Sequence, residues 1–230
     1  MEMNAAGGAA SGELEIGCSG ERLVMSPQRA LVWPRRRTLL LGDSHFGKGA
    51  VFRRAGIALP AGAAQTDLAR LAELIHKHGI ERVIVLGDFF HGRVEPDEPF
   101  VAAFASFRRQ HRALEIASIA GNHDRWSRHS ELANMIRWLD EGTRDEPFVY
   151  AHRAAAQSAA YTLSGHLHPV VRLTGPGRDR LSAPVFWFRQ HSAVLPAFGT
   201  FTGGYRIRPD RSDRMFAVTP GAVLPVATVW

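Results

Sequence analysis

The sequence predicts an α/β fold of two stacked, mixed β-sheets flanked by helices, and three observations predict it. Strand-like and helix-like runs alternate up to about Leu139. Beyond Pro169 the pattern changes to short apolar strands broken by Gly and Pro, and alternation followed by a β-rich half is the signature of stacked sheets with helices outside. Five of the apolar runs also stop at residues of the kinds that bind metals. In open α/β sheets a ligand site lies outside the carboxyl ends of the strands.

Along the chain, Glu13–Ile16, Arg22–Met25 and Ala30–Trp33 read as short strands separated by Cys18-Ser19-Gly20 and Ser26-Pro27 turns. Arg35-Arg36-Arg37 reads as a solvated loop leading into the first buried strand, Thr38–Leu41. Gly47–Gly62, with Gly49 and Gly56 inside it, is either a flap or an ordinary surface loop. Gln65–His78 has the spacing of a helix: Thr66 or Asp67 can cap it, Leu68, Leu71 and Leu74/Ile75 form an apolar stripe, and Gly79 stops it. Strand Arg82–Leu86 follows, then a helix over Pro99–Gln110 whose Phe100, Phe104 and Phe107 share one core-facing side. After strand Ile116–Ala120, a third helix is expected from about Ser130 to Leu139, with Leu132, Met135, Ile136 and Leu139 inward. Phe148–Tyr150 and Tyr161–Leu163 are the next strands, followed by Val170–Leu173, Val185–Phe188, Ala193–Leu195, Tyr205–Ile207 and Met215–Val218.

Composition bounds the possibilities. The 230 residues suit one domain, and 45 % hydrophobic with 22 % charged residues is a globular balance. No apolar run approaches the roughly 18 residues of a membrane helix, so no membrane partner is expected. Met1–Gly12 is rich in Ala, Gly and Ser without a basic start or apolar centre. It reads as a flexible N-terminal tail rather than a signal peptide, leaving 13–230 as a single domain. The one cysteine, Cys18, excludes an internal disulfide and fits a cytoplasmic setting. A formal net charge of +6 favours polyanionic partners such as nucleic acid. Lys48 and Lys77 are the only lysines among 28 basic residues, a bias that GC-rich coding can produce, so charge alone identifies no substrate.

The chemistry sits in Gly42-Asp43-Ser44-His45, Gly87-Asp88-Phe89-Phe90-His91, Gly121-Asn122-His123-Asp124, the lone His152, and Gly165-His166-Leu167-His168. A metal pair that hydrolyses phosphate esters wants hard oxygen ligands and neutral imidazoles rather than thiolates. Asp43, His45, Asp88, Asn122, His152, His166 and His168 supply that set. Any one Asp-x-His or His-x-His is common; all of them, in order and each at a strand end, form the signal. Between Asp124 and His166 the only histidines are His129 and His152, and His152 is selected because it follows the apolar run Phe148-Val149-Tyr150.

These motifs resemble those of the calcineurin-like metallophosphoesterases: Asp-x-His, Gly-Asp-x-x-Asp or a variant, Gly-Asn-His-Asp, a separate His, and Gly-His-x-His. The resemblance runs from about Thr38 to Pro169. Within the family the chain is similar to the bacterial ligase-associated DNA damage response endonucleases of the PdeM group. That likeness rests on Asp43-Ser44-His45-Phe46-Gly47-Lys48, Leu86–His91, Gly165–Pro169 and Leu195-Pro196-Ala197-Phe198-Gly199, continuing through Thr200–Gly204. It implies two divalent metal ions, Mn²⁺ foremost, with Fe, Zn or Mg as alternatives. One would be bound by Asp43, His45, Asp88 and His168, and the other by Asp88, Asn122, His152 and His166. Asp88 would bridge, since a carboxylate can hold two cations and an imidazole offers one lone pair. Two such ions neutralise phosphoryl oxygens and acidify the water between them.

In that scheme His123 is free to protonate the leaving group as general acid. Asp124 either accepts the other ring N–H of His123 or caps the turn that follows. Lys48, Arg53 and Arg93 are the substrate-binding candidates, with Arg54 beside them. His91 stands where the family often has Asp, a position outside the metal ligands, so the departure is expected to alter surrounding hydrogen bonds. The implied function is a DNA endonuclease or phosphodiesterase in DNA repair, with DNA ligase or helicase as protein partners. A hydrolase of a small phosphate ester or nucleotide, using the same site in a narrower pocket, is the alternative. A scaffold that has lost hydrolysis would show eroded ligands, and none of the set is missing.

Overall fold

The computed structural model describes residues 12–57, 63–127, 130–154, 160–174 and 180–227. The predicted tail before Gly12, His129 and residues 58–62 of the possible flap lie outside the described residues. The first strands are β1 (Leu14–Cys18), β2 (Glu21–Ser26), β3 (Ala30–Trp33) and β4 (Thr38–Leu41). They form an antiparallel meander. Ser19 and Gly20, both at positive φ, make the two-residue turn between β1 and β2, the geometry that matches the twist of the paired strands.

From β4 onward the chain crosses over instead. Helices α1 (Lys48–Arg54) and α2 (Ala63–His78) connect β4 to β5 (Arg82–Val85). Helix α3 (Pro99–Gln110) connects β5 to β6 (Glu115–Ile119), and β7 (Arg137–Leu139) closes the sheet. The four strands β4-β5-β6-β7 are parallel neighbours. Among the described residues, a second sheet contains β8 (Thr143–Asp145), β9 (Phe148–Tyr150), β10 (Tyr161–Ser164), β11 (Pro169–Thr174) and β12 (Arg180–Phe188). It also contains β13 (Ser192–Val194), β14 (Tyr205–Arg206), β15 (Arg214–Val218) and β16 (Val223–Pro225). Its order is β14-β11-β12-β13-β10-β9-β8, with β15 on β12 and β16 on β15.

Period-two alternation sorts the side chains into layers. Leu40, Ile84 and Ala117 face the second sheet and meet Phe148, Tyr150, Leu163, Phe186 and Phe188. Leu39, Leu41, Val83, Val85 and Ile116 face the other way, onto Leu68, Leu71 and Leu74 of α2 and the three phenylalanines of α3. Strands covered on both faces read as unbroken apolar runs, which is why β4 and β5 were legible. The two mixed sheets and the helices on the first of them are the expected fold class.

Three local expectations change. The third helix is only a 3-10 turn over Glu131–Met135, after which Arg137–Leu139 pairs in parallel with Ala117–Ile119. Pairing at a sheet edge outweighs a weak helical period there. The stretch after Gly47 begins with α1 rather than a loop. Thr66 and Asp67 are not caps, because α2 starts at Ala63. The Asp67 carboxylate instead accepts the Thr200 N–H at 3.2 Å and the Thr200 hydroxyl, and pairs with Arg70 at 3.1 Å.

Phe104 is fully buried, and its ring lies 5.6 Å from Phe89, 5.6 Å from Phe100 and 6.3 Å from Phe107 between centroids. Phe104→Ala should therefore cost roughly 3–5 kcal/mol. Leu181→Ala, at a side chain 60 % exposed, should stay within about 0.5 kcal/mol. Denaturant midpoints of the two variants check the contrast.

Candidate metal centre

Asp43 lies just past β4, Asp88 past β5, Asn122 past β6, His152 past β9, and His166 and His168 past β10. Parallel strands in both sheets end on the same side, so residues far apart in sequence converge. Two groups result. Asp43, His45 and His168 form one, and Asp88, His152 and His166 the other, each with ligand atoms within 4.8 Å of one another. In the first, His45 Nε2 and His168 Nε2 are 3.2 Å apart, and His168 Nε2 is 3.6 Å from Asp43 Oδ2. In the second, His166 Nδ1 is 3.0 Å and Asp88 Oδ2 3.6 Å from His152 Nε2. Asn122 Oδ1 joins at 3.2 Å from the same nitrogen. Asp43 Oδ1 reaches His152 Nδ1 at 3.6 Å and so touches both groups.

The outer ring nitrogens explain the orientation of the inner ones. His152 Nδ1 lies 3.3 Å from the Leu86 carbonyl, and His168 Nδ1 lies 3.2 Å from that of Gly203. A ring N–H donated to a carbonyl leaves Nε2 as a lone pair pointing inward. His45 is held by another imidazole, with its Nδ1 3.1 Å from His91 Nδ1. Burial, followed by the neighbouring His168 and His91, drives His45 down to about 2, and burial drives His91 down to about 4. Both shifts favour the neutral ring, the form that binds metals.

Small residues make this convergence possible. A Cβ on Gly87 would lie 1.7 Å from His152 Nδ1, and Gly87 sits at φ +107. A Cβ on Gly165 would lie 2.5 Å from Asp43 Oδ2. Four of the converging residues, His45, Asp88, His166 and His168, themselves have positive φ. Such strain costs about 1–3 kcal/mol per residue and gathers at functional sites.

Charge decides whether cations fit. Asp43 is fully buried and its Oδ1 makes no hydrogen bond among the described residues, while Asp88 is 2 % exposed. Burial first, and then the Asp43 charge, raise the Asp88 pKa, against the His123 N–H and His152, which lower it. Two buried carboxylates, one with an orphan oxygen, among neutral imidazoles are a donor set that divalent cations satisfy.

His123 sits at the edge of the cluster. Its ring centroid is 4.5 Å from that of His91 in a stacked pair and 5.2 Å from that of His45, and its backbone N–H donates to Asp88 Oδ1 at 2.8 Å. Asp124 does neither thing expected of it. Its carboxylate, fully buried, accepts the backbone N–H groups of Phe90 at 2.7 Å, Gly121 at 2.8 Å and Phe89 at 3.2 Å. The oxygens that could have met the His123 ring are used to clamp two motif loops together. Burial raises the Asp124 pKa to about 6 against those three hydrogen bonds.

Among the substrate-binding candidates, Lys48 is half-buried, and burial lowers its pKa against the Asp88 charge. Arg53 is exposed, Arg93 pairs with Glu95 at 2.9 Å on the surface, and Arg54 pairs with Glu98. Among the described residues, the ion pairs of Arg54 and Arg93 are with Glu98 and Glu95 rather than with the histidine cluster. Sequence reasoning missed Glu141, whose carboxylate accepts the backbone N–H of His152 at 3.0 and 3.1 Å. No local signal marks Glu141, which lies in an exposed turn before β8.

The profile of the Calcineurin-like phosphoesterase family matches residues 36–176. Among solved structures, Pseudomonas putida nuclease MPE is 34 % identical with a TM-score of 0.79, covering 93 % of this chain and 100 % of that one. Yfce, a phosphoesterase from E. coli, is 14 % identical with a TM-score of 0.43, covering 83 % of this chain and 98 % of that one. No match is found among the curated proteins.

Asp88→Asn keeps the side-chain shape but removes the charge. It should leave a folded protein that has lost most of its bound divalent metal, read by mass spectrometry on the purified protein beside circular dichroism. A folded variant retaining two tightly bound ions would remove Asp88 from the bridging position.

Proposed function

This chain belongs to the calcineurin-like phosphoesterase family and is a metal-dependent phosphoester hydrolase, and from that premise we propose that it cuts phosphodiester bonds of DNA, as a repair endonuclease of the PdeM type. The observation that carries the reading is the 34 % identity to a nuclease over 93 % of this chain. The net charge of +6 supports a polyanionic substrate. In this proposal residues 13–230 act as one catalytic unit in the cytoplasm, Mn²⁺ is the first choice of metal, and a DNA ligase or helicase is the protein partner.

Asp43, His45, Asp88 and His168 would hold one cation, and Asp88, Asn122, His152 and His166 the other. The two Asp/His groups support this division except at the bridge, since Asp88 is grouped only with His152 and His166; Asp88 as bridging ligand rests on the family resemblance. When bound, the pair neutralises the phosphoryl oxygens and acidifies the attacking water. The chain's own residues do the rest. His123, half-exposed beside His45 and His91, gives its ring proton to the departing oxygen as the bond from phosphorus to that oxygen breaks. Lys48 steadies a phosphate oxygen. Arg53 and Arg93, exposed to solvent, act at longer range by drawing the strand in. Asp124 keeps the Gly87–Phe90 and Gly121–His123 loops in register, a positioning role.

His123→Ala should keep its metals and slow sharply, roughly 10²–10⁴-fold, on diesters with poor leaving groups. A nitrophenyl diester, whose leaving group departs without a proton, should lose much less. Equal losses on both substrates would take the acid role away from His123.

DNA as the substrate is tested by salt. Each neutralised phosphate releases counterions, so affinity of folded, metal-loaded His123→Ala protein for DNA should fall steeply with ionic strength. Turnover of a small diester by wild type should change little over the same series. Absent DNA binding at low salt, with efficient cleavage of a small ester, would replace the nuclease reading with a small-ester hydrolase.

A further inference from the structure

A cavity of about 390 Å³ is lined by both His168, a candidate metal ligand, and Arg29. That volume lies in the ordinary range of ligand pockets, roughly 300–1,000 Å³. Its walls mix polar groups, including Ser182 and Thr202, with apolar ones such as Val170 and Pro184. The lining therefore includes a candidate metal ligand and a cation, and the walls suit a sugar as well as a charged group.

Arg29 is the unusual member. It is half-buried and makes no ion pair among the described residues. Many of the other arginines are committed: Arg22 to Glu15, Arg35 to Glu21, Arg37 to Glu81, Arg54 to Glu98, Arg82 to Asp145 and Arg137 to Glu115. Burial lowers the Arg29 pKa, and the Asp67 charge opposes that without an ion pair between them. Asp67 is already occupied by the Thr200 N–H, the Thr200 hydroxyl and Arg70. Arg29 also sits at φ 63, in the turn between β2 and β3 that its own N–H closes onto Ser26 O at 3.0 Å. A left-handed arginine holding an unpaired, partly desolvated guanidinium is a costly arrangement. An anion in the cavity offsets that cost, and a phosphate matches the guanidinium fork with two parallel hydrogen bonds.

We propose that this cavity receives the phosphate adjacent to the one being hydrolysed, with Arg29 as its cationic partner, so that the enzyme grips a strand rather than an isolated diester. The inference rests on the nucleic-acid reading above and adds to it a named residue and a direction along the strand, away from His168 toward the turn between β2 and β3.

The test compares three substrates of the Mn²⁺-loaded enzyme: bis-nitrophenyl phosphate, the dinucleotide TpT and the trinucleotide TpTpT. Only in TpTpT does the bond being cut have a neighbouring phosphate. Wild type should show kcat/KM at least tenfold higher for TpTpT than for TpT. Arg29→Ala should collapse that ratio toward one, and Arg29→Lys, which keeps the charge but not the fork, should retain part of it. Metal content and the thermal midpoint of each variant exclude misfolding, and the wild-type ratio remains informative if Arg29→Ala is unstable. A wild-type ratio near one, an unchanged ratio in Arg29→Ala, or equal losses on all three substrates overturns the subsite while leaving the nuclease reading standing. Wild type that cleaves the nitrophenyl diester but neither nucleotide overturns both.

Discussion

Asp43 and Asp88 are both withdrawn from water, and both face the same ring of imidazoles. Two carboxylates in that setting repel one another and lose their hydration, a combination that raises the Asp88 pKa and leaves an Asp43 oxygen without a hydrogen bond. Neutral histidines cannot cancel two negative charges; divalent cations can. The need to hold cations between these carboxylates governs what surrounds them: the residue types, the tight glycines and the backbone that carries them.

The backbone is where that need is met mechanically. Positive φ at His45, Asp88, His166 and His168 turns the side chains inward immediately after their strands. Left alone, four such residues would relax, so the neighbouring structure has to hold them. Asp88 O accepts the His45 N–H at 2.9 Å, and Asp43 Oδ2 accepts the His166 N–H at 2.6 Å. Asp124 ties the second and third motif loops with its three backbone hydrogen bonds. Phe46, Phe89 and Phe90, interleaved with the site residues in sequence, anchor the same loops in the helix-side core. Alternate residues of one loop thus serve chemistry and packing.

Electrostatics away from the centre divide similarly. Glu21 holds Arg35 and the Trp33 indole, and Asp145 holds Arg36, Arg82 and the Tyr150 hydroxyl. Much of the arginine content is therefore paired locally and contributes little field at a distance. For the basic groups left to act on a ligand, position relative to the centre matters more than the net charge of +6.

The sequence alone determined what depends on local pattern. Apolar runs such as Thr38–Leu41 and Phe148–Tyr150 appear as strands with the same bounds, and Phe100, Phe104 and Phe107 are buried on one face of α3. The Asp and His residues converge because each follows a strand, and strand order with side-chain period is enough to foresee that. Only the tertiary structure decided how polar groups are spent. Asp67 lies inside α2 rather than at its start, and its carboxylate goes to Thr200, 133 residues away. Asp124 meets no imidazole because the Phe89 and Phe90 N–H groups reach it first. Arg137–Leu139 is a strand because an edge of β6 was open to it. Hydrophobic periodicity records how often a residue is buried. A hydrogen bond needs a partner at about 3 Å, and which partner arrives there is settled only when distant segments pack.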